Sequence, residues 1–349
     1  MYYWHKDTYL SLHQERSRLA HAILLQATEG TGVFEFSMAW AQALLCESAL
    51  LCESNGAQGD ACGACAACIW FGSGNHPDFR LVQPDSHVKE ADAGEDGPPL
   101  TAREREKKSD QIRIDQIREL QSFLNVGTHR GGRRVVVVHP CDTMNTATQN
   151  ALLKNLEEPA VGTVFLLATS RSHRLLPTVR SRCQTLRLPP PEPAASLRWL
   201  KEQSVEHPEA LLAMAGGAPL LAASLAARAE FLHQLADHLA NPRMDALAVA
   251  AICQKSTPVE VVTALYRWCY DLLSSNLTGQ VRYHTVMVHK VESLAGKCSP
   301  RLIAAYLRRL ARERNLAEHP LNPRLFMEDL LFGYVAMLEG RAADVAYSP

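Results

Sequence analysis

Apolar positions Met144, Ala147, Ala151, Leu152 and Leu156 recur at helical spacing behind Asn145, a residue type that caps helix N-termini. Pro159 disfavours helical geometry at the residue before it, so the pattern predicts a helix ending near Glu158. Residues 163–169 then run as unbroken β-formers without alternation, the pattern of a strand covered on both faces in a parallel sheet. Pro177 opens a short helical turn, and Arg182 follows at its close. Helix, buried strand and turn form a rigid scaffold that holds one guanidinium near a surface.

The same two periods recur on either side. Residues 21–26, 79–83 and 134–139 read as strands, 34–51 and 114–124 as helices, and 184–188 closes the sheet. Pro189-Pro-Pro-Glu-Pro193 is stiff and extended, which predicts a domain boundary. Beyond it come helices over 194–202 and 209–215 and another after Gly216-Gly217. Past Asn241-Pro242 the pattern stays helical from 244 to 338. Val262, Leu265, Trp268, Leu272 and Leu273 share one face there, and Leu302, Ala305, Tyr306 and Leu310 another. Trp268 and Tyr306 are expected in the core. The predicted organisation is an α/β domain over 1–188, a small helical domain over 189–241 and an all-helical domain over 242–349. Residues 84–110, acidic and Gly/Pro-interrupted before an Arg/Glu/Lys run, read as a mobile surface insertion.

Composition narrows the function classes. At 349 residues, 47% apolar and 21% charged, the chain is an ordinary globular sequence too long for one core. Its apolar runs are too short to span a bilayer, and residues 1–6 lack a charged segment followed by an apolar core. The expectation is a cytoplasmic protein with no membrane partner. A formal net charge of −1 argues against gripping nucleic acid by bulk charge, so any DNA contact is local or shared with partners. Ten cysteines in such a chain point to metal or buried thiols before disulfides.

Cys62-Gly-Ala-Cys65-Ala-Ala-Cys68 places three thiols at paired CxxC spacing, and Cys52 lies upstream as the expected fourth ligand of one zinc ion. Cys46 is the alternative fourth ligand, at a longer span. Four thiolates leave no open coordination position, so the zinc module over 52–68 is expected to be structural. His76, in the following turn, is expected to stabilise that turn by a hydrogen bond.

Residues 27–34, Ala-Thr-Glu-Gly-Thr-Gly-Val-Phe, stand where a phosphate-binding loop would follow the first strand. Such a loop needs a lysine for the β- and γ-phosphates and a hydroxyl for Mg²⁺. Gly30 and Gly32 keep the turn, but Val33 and Phe34 replace the lysine and the hydroxyl. After the 134–138 run an Asp-Glu pair would hold Mg²⁺ and orient water. His139 and Pro140 stand there instead, and neither supplies the oxygen ligands that Mg²⁺ prefers.

Asn150-Ala-Leu-Leu-Lys-Asn-Leu-Glu-Glu-Pro159, with Leu175-Leu-Pro-Thr-Val-Arg-Ser-Arg-Cys183, resembles the LLKxLEEP and SRC signature of bacterial clamp-loader ATPases, a branch of the AAA+ superfamily. The resemblance runs by motif over about 1–241. It implies an AAA+ RecA-like parallel sheet, a helical lid and a C-terminal helical collar. It also implies a zinc module after the first core helix, a sensor 1 position at Thr169, and an SRC motif of Ser181, Arg182 and Cys183. Arg182 would act as an arginine finger on ATP held by a neighbouring subunit. Leu220 occupies the position of the family's sensor 2 arginine. The implied role is a non-hydrolysing subunit in a hetero-oligomer with clamp-loader ATPase (gamma/tau) and delta subunits, reaching the sliding clamp and primed DNA through that assembly during DNA replication. Two other readings stay open at this point: an ATP-hydrolysing motor subunit of the same assembly, and a zinc-dependent DNA-binding regulator. Val33, Phe34, His139, Pro140 and Leu220 count against the first, and the near-neutral charge against the second.

Overall fold

A computed structural model describes the chain apart from residues 48–59, 88–108, 126–127, 129–131, 318–321 and 342–349. Two compact units result, Met1–Glu192 and Pro193–Pro349.

The first unit is built on five parallel strands: β1 (Ala22–Gln26), β2 (Phe79–Val82), β3 (Arg134–Val138), β4 (Thr163–Thr169) and β5 (Gln184–Arg187), in the order β2-β3-β4-β1-β5. The parallel α/β sheet expected from the apolar runs is therefore present. Every residue of β3 and β4 is buried. The unbroken apolar runs follow from that double coverage. Ile23, Leu25, Val135, Val137, Leu166 and Ala168 point to one face, where Tyr9 of α1 (Lys6–Gln14) and Phe36, Trp40 and Leu44 of α2 (Val33–Leu45) pack on them. Leu24, Val136, Val138, Phe165 and Leu167 point to the other. There they meet Ile117 and Leu120 of α4 (Ile114–Asn125) and Leu152 and Leu156 of α5 (Thr146–Glu157). Asn145 caps α5, its side chain accepting from the Thr148 amide at 2.9 Å, and the helix ends at Glu157 before Pro159.

Helix α2 closes at Leu45, Glu47 is helical again after the break at Cys46, and residues 48–51 of the expected helix lie outside the described residues. Cys46 already has extended geometry and turns its thiol toward the segment leading into α3 (Ala66–Gly72). Most of the expected insertion, residues 88–108, lies outside the described residues. Its near end is tied down where Arg113 meets Asp85 at 3.0 Å. The His76 ring accepts the Asp78 amide at 3.0 Å and so closes its own turn, as expected.

The second unit is helical: α7 (Pro193–Glu202), α8 (Pro208–Met214), α9 (Pro219–Ala226), α10 (Ala229–Leu239), α11 (Ala246–Cys253), α12 (Pro258–Thr278), α13 (Val288–Ala295), α14 (Pro300–Leu316) and α15 (Pro323–Leu338). It holds two cores. A small one joins Leu200, Leu211, Leu212, Ala215 and Ala222, and a larger one runs from Leu235 to Met337. Trp268 and Tyr306 are buried in the larger core, where Trp268 donates to the Tyr334 hydroxyl at 2.8 Å. Ala305, placed by its spacing on the apolar face of α14, is instead exposed. Among the described residues no single helix is long and apolar enough to cross a membrane. The pair α8 and α9 passes only jointly and is bent by 113°.

Candidate functional site

Three candidate features lie in the first unit. The carboxyl ends of β1, β3 and β4 bring together the turn at 27–32, His139 and Thr169, the edge where ligands dock in open α/β sheets. Gly32 caps α2 with φ +96°, a conformation open mainly to glycine, and a Cβ there would lie 2.5 Å from the Tyr2 ring. Tyr2 stacks on Trp4 with centroids 4.6 Å apart. The Trp4 indole N–H donates to the Thr31 carbonyl at 2.9 Å, and His5 Nε2 bonds the same oxygen at 2.8 Å. Burial holds the His5 imidazole below its usual pKa, opposed by that backbone hydrogen bond. An aromatic N-terminal segment thus lies over the turn. Sequence reasoning missed these residues, although Tyr-Tyr-Trp-His opening the chain was a legible aromatic cluster.

Val33, the lysine replacement, is buried in the core behind α2. Phe34, the hydroxyl replacement, stacks on His139 with centroids 4.9 Å apart and planes 28° from parallel. Burial pushes the His139 pKa down to about 4, so the ring is neutral at pH 7. Pro140 follows, half-buried. Glu35 and Glu29 add negative charge beside the turn, Glu35 in the first turn of α2 and Glu29 within 3.4 Å of Arg171. The helix N-terminus, elsewhere a ready anion site, carries its own acid here.

Thr169 is fully buried at the end of β4. Its hydroxyl donates to Asp142 at 2.5 Å and accepts the Arg171 amide at 2.8 Å. Both capacities are satisfied within the chain. Asp142 bonds Thr169 in this arrangement, which gives it a structural task at the strand end.

Arg182 follows α6 (Pro177–Arg180), whose Val179 is buried against α5. Gln149 of α5 fixes the approach: its amide donates to Met144 O at 2.9 Å and its carbonyl accepts the Leu176 amide at 2.7 Å. This buried glutamine is a positioning residue that the sequence pattern did not single out. The Arg182 side chain is 36% exposed. One Nη donates to Thr178 O at 2.9 Å, and the other meets Glu157 Oε1 at 2.6 Å. Ser181 is exposed and donates to Thr178 O at 3.1 Å. Cys183 packs beside the core, and burial pushes its thiol to about 11. Leu220 lies half-buried on α9 in the second unit.

The third feature is a thiol cluster. The sulfurs of Cys46, Cys62, Cys65 and Cys68 all lie within 4.8 Å of one another. Cys46–Cys65 is 3.9 Å and Cys62–Cys68 is 4.0 Å. Tetrahedral Zn–S bonds of 2.3 Å would set sulfurs about 3.8 Å apart, so the set fits such an ion with little adjustment. Gly63, φ +71°, makes the tight step between the first two of the paired ligands. Backbone amides of Cys62, Cys65 and Cys68 donate to the sulfurs of Cys46, Cys62 and Cys65 at 3.3, 3.3 and 3.5 Å, the outer contacts that orient such ligands. Burial first, then the neighbouring thiols, push Cys68 to about 12. The fourth thiol here is Cys46, the alternative ligand. It reaches the cluster because the helix ends one residue earlier, while the expected Cys52 lies outside the described residues.

The family model described as DNA polymerase III, delta subunit, matches residues 6–192, more than half of the chain. The DNA polymerase III subunit delta' of Pseudomonas aeruginosa is 38% identical over 214 residues, 60% of this chain and 57% of that protein. The chain thus spans little more than half the length of that relative. The Escherichia coli subunit delta' is 30% identical over 326 residues, 89% of this chain and 87% of that protein. Among solved structures, a gamma subunit-related protein of DNA polymerase III from Thermotoga maritima aligns over 95% of this chain and 99% of its own, at 18% identity and a TM-score of 0.39. With a family model over the sheet unit and a relative matched through both units, the chain belongs to the delta-prime family of DNA polymerase III subunits.

Proposed function

We propose that the chain is a non-hydrolysing clamp-loader subunit that supplies Arg182 in trans to ATP bound by a neighbouring gamma/tau-type ATPase subunit. Its partners in this reading are that ATPase and a delta subunit in a cytoplasmic hetero-oligomer, with the sliding clamp and primed DNA reached through the assembly. One observation carries the reading: Arg182 stands half-exposed on a scaffold locked by Gln149, while the chain's own nucleotide edge is filled by the Phe34–His139 stack and covered by Tyr2 and Trp4. At that edge Val33 and Phe34 stand in place of the lysine and the hydroxyl, His139 and Pro140 in place of the Asp-Glu pair, and the Thr169 hydroxyl is engaged by Asp142. The chain therefore contributes a cation to another subunit's triphosphate and serves as a fixed support.

Mechanistically, the guanidinium exchanges Glu157 for the γ-phosphate of the neighbour. An ion pair this exposed is worth about 0–1 kcal/mol, so it holds the side chain extended at little cost to release. The planar fork then places two N–H donors on phosphoryl oxygens as charge develops in the transition state. The four thiols would hold a structural zinc ion that ties the α2 end to α3, with no part in phosphoryl chemistry.

The test is equilibrium binding of a labelled ATP analogue with Mg²⁺ to the isolated full chain, beside ATPase turnover of the reconstituted assembly. Expected are no saturable binding by the chain alone and full DNA-stimulated turnover when it joins the ATPase subunit. Stoichiometric binding with turnover by the chain alone would refute the reading.

A further inference from the structure

Helix α14 carries a row of arginines that none of the features above uses. At 100° per residue, Arg301, Arg308 and Arg312 fall within about 40° of one another around the helix, and the exposed Ala305 lies beside them. Ile303, Tyr306, Leu307 and Leu310 occupy the opposite, buried side. All three arginines are exposed, and among the described residues none of them forms an ion pair or hydrogen bond. Arg309, on the flank, shows the alternative arrangement: it pairs with Glu313 and with Asp329 of α15, so the nearest helical carboxylate is already engaged. A rise of 1.5 Å per residue sets the three side-chain roots along a line of about 16 Å, with gaps of about 10 and 6 Å.

We propose that this row is a docking surface for the sugar-phosphate backbone of duplex DNA, read without regard to sequence. Arginine is permanently charged and its fork matches phosphate oxygens. With no carboxylate on its own face among the described residues, the guanidinium row is a local positive stripe that attracts a polyanion. A protein partner is disfavoured because the apolar positions beside the row, Ala305 and the exposed Leu316, lie to one side of it, whereas specific protein interfaces centre on desolvated aromatic or aliphatic anchors. Single strands are disfavoured because the row includes no exposed aromatic ring on which bases could stack. The near-neutral charge of the chain makes the contact local, weak alone and strongly salt-dependent, as suits a subunit that adds to a shared DNA contact. The proposal does not depend on the role given to Arg182.

The test is fluorescence anisotropy of a labelled duplex of about 20 base pairs with the full chain, over about 25–200 mM salt. Each phosphate contact contributes roughly 0.9 to the slope of log K against log salt, so three contribute about 2.7. The variant R301Q/R308Q/R312Q should lose that part of the slope. Between 50 and 200 mM salt the unmodified chain should weaken about 40-fold more than the variant. Glutamine is a good helix former, and unchanged circular dichroism would verify the fold. A control, R118Q/R198Q/R324Q, removes equal charge at positions already paired with Asp115, Glu202 and Glu328 and should leave the slope in place. Four results would each overturn the proposal: no duplex binding at 25 mM salt, an equal slope in the variant, an equal loss in the control, or tighter binding to single strands or polyglutamate than to the duplex.

Discussion

Replacing Arg182 by alanine separates a structural arginine from a finger, because the two roles differ by several kcal/mol in opposite observables. In the isolated chain the side chain holds one carbonyl, Thr178 O at 2.9 Å, and one carboxylate, Glu157 at 2.6 Å, with the two charged side chains 36% and 48% exposed. Pairs this wet contribute about 0–1 kcal/mol, so Arg182→Ala should shift the urea midpoint of unfolding little. A finger in trans is worth roughly 10³ to 10⁵ in rate. At 1.36 kcal/mol per decade that is about 4–7 kcal/mol of transition-state stabilisation. Even with part of it retained by the neighbour's own groups, ATP hydrolysis at the one interface served by this chain should fall by about a hundredfold or more.

The assay is single-turnover hydrolysis in an assembly whose other ATPase interfaces are silenced, with subunit association checked separately. Arg182→Lys keeps the charge but not the planar fork and should recover only part of the rate. Glu157→Gln removes the resting partner and should leave the rate unchanged or higher. Undiminished turnover by the Arg182→Ala assembly would refute the finger. So would a loss traced entirely to failed association, since Arg182 would then be an interface contact.

Three further outcomes follow from the geometry. Cys46→Ser should abolish stoichiometric metal binding measured with a chromogenic chelator, whereas Cys52→Ser should retain it; the reverse pattern would return the fourth position to Cys52. His139 is held neutral by burial, with a folded pKa of about 4 against about 6.5 when unfolded, so the unfolded chain binds the extra proton. Its contribution is therefore complete above pH 6.5 and lost as pH falls toward 4; His139→Phe should flatten the urea midpoint over that window while keeping the stack on Phe34. Asp271, fully buried, accepts from the backbone amides of Arg282, Tyr283 and His284 and from the His284 ring. Burial raises its pKa, but the bond to the His284 ring and those to the amides outweigh it, and the net direction is down. Its stability is present above the ordinary carboxylate range and lost as pH drops below it. Asp271→Asn should cost about 3–5 kcal/mol by chemical denaturation, because an amide NH₂ then faces donors.

The sheet was legible because burial on both faces writes itself as unbroken apolar runs. The 134–138 and 163–169 stretches carry no polar alternation to mislead, and Pro159 marks a helix end that no packing can override. The end of α2 was not legible. The helical pattern runs on through Cys46, which instead turns extended toward Cys62, Cys65 and Cys68, a contact made through a turn that periodicity does not encode. Ala305 was misassigned for a related reason: alanine is compatible with either side of a helix, and on α14 its arginine neighbours decide.

The candidate site divides along the same line. What was absent could be read from single letters, since Val33, Phe34, His139 and Pro140 each lack the ammonium, hydroxyl or carboxylate that the position needs, whatever their neighbours. What had replaced it could not, because the Phe34–His139 stack and the contact of Tyr2 with Gly32 join residues about 105 and 30 positions apart. These contacts change the physical meaning of the substitutions. An edge that had merely lost its lysine would still offer backbone N–H groups to an anion. An edge whose turn lies under the Tyr2 ring and whose carboxyl end carries a stacked, neutral imidazole offers an anion no positive charge from its side chains. Restoring lysine at 33 or a hydroxyl at 34 should therefore fail to restore nucleotide binding on its own. Binding would also require removal of Tyr2 and His139.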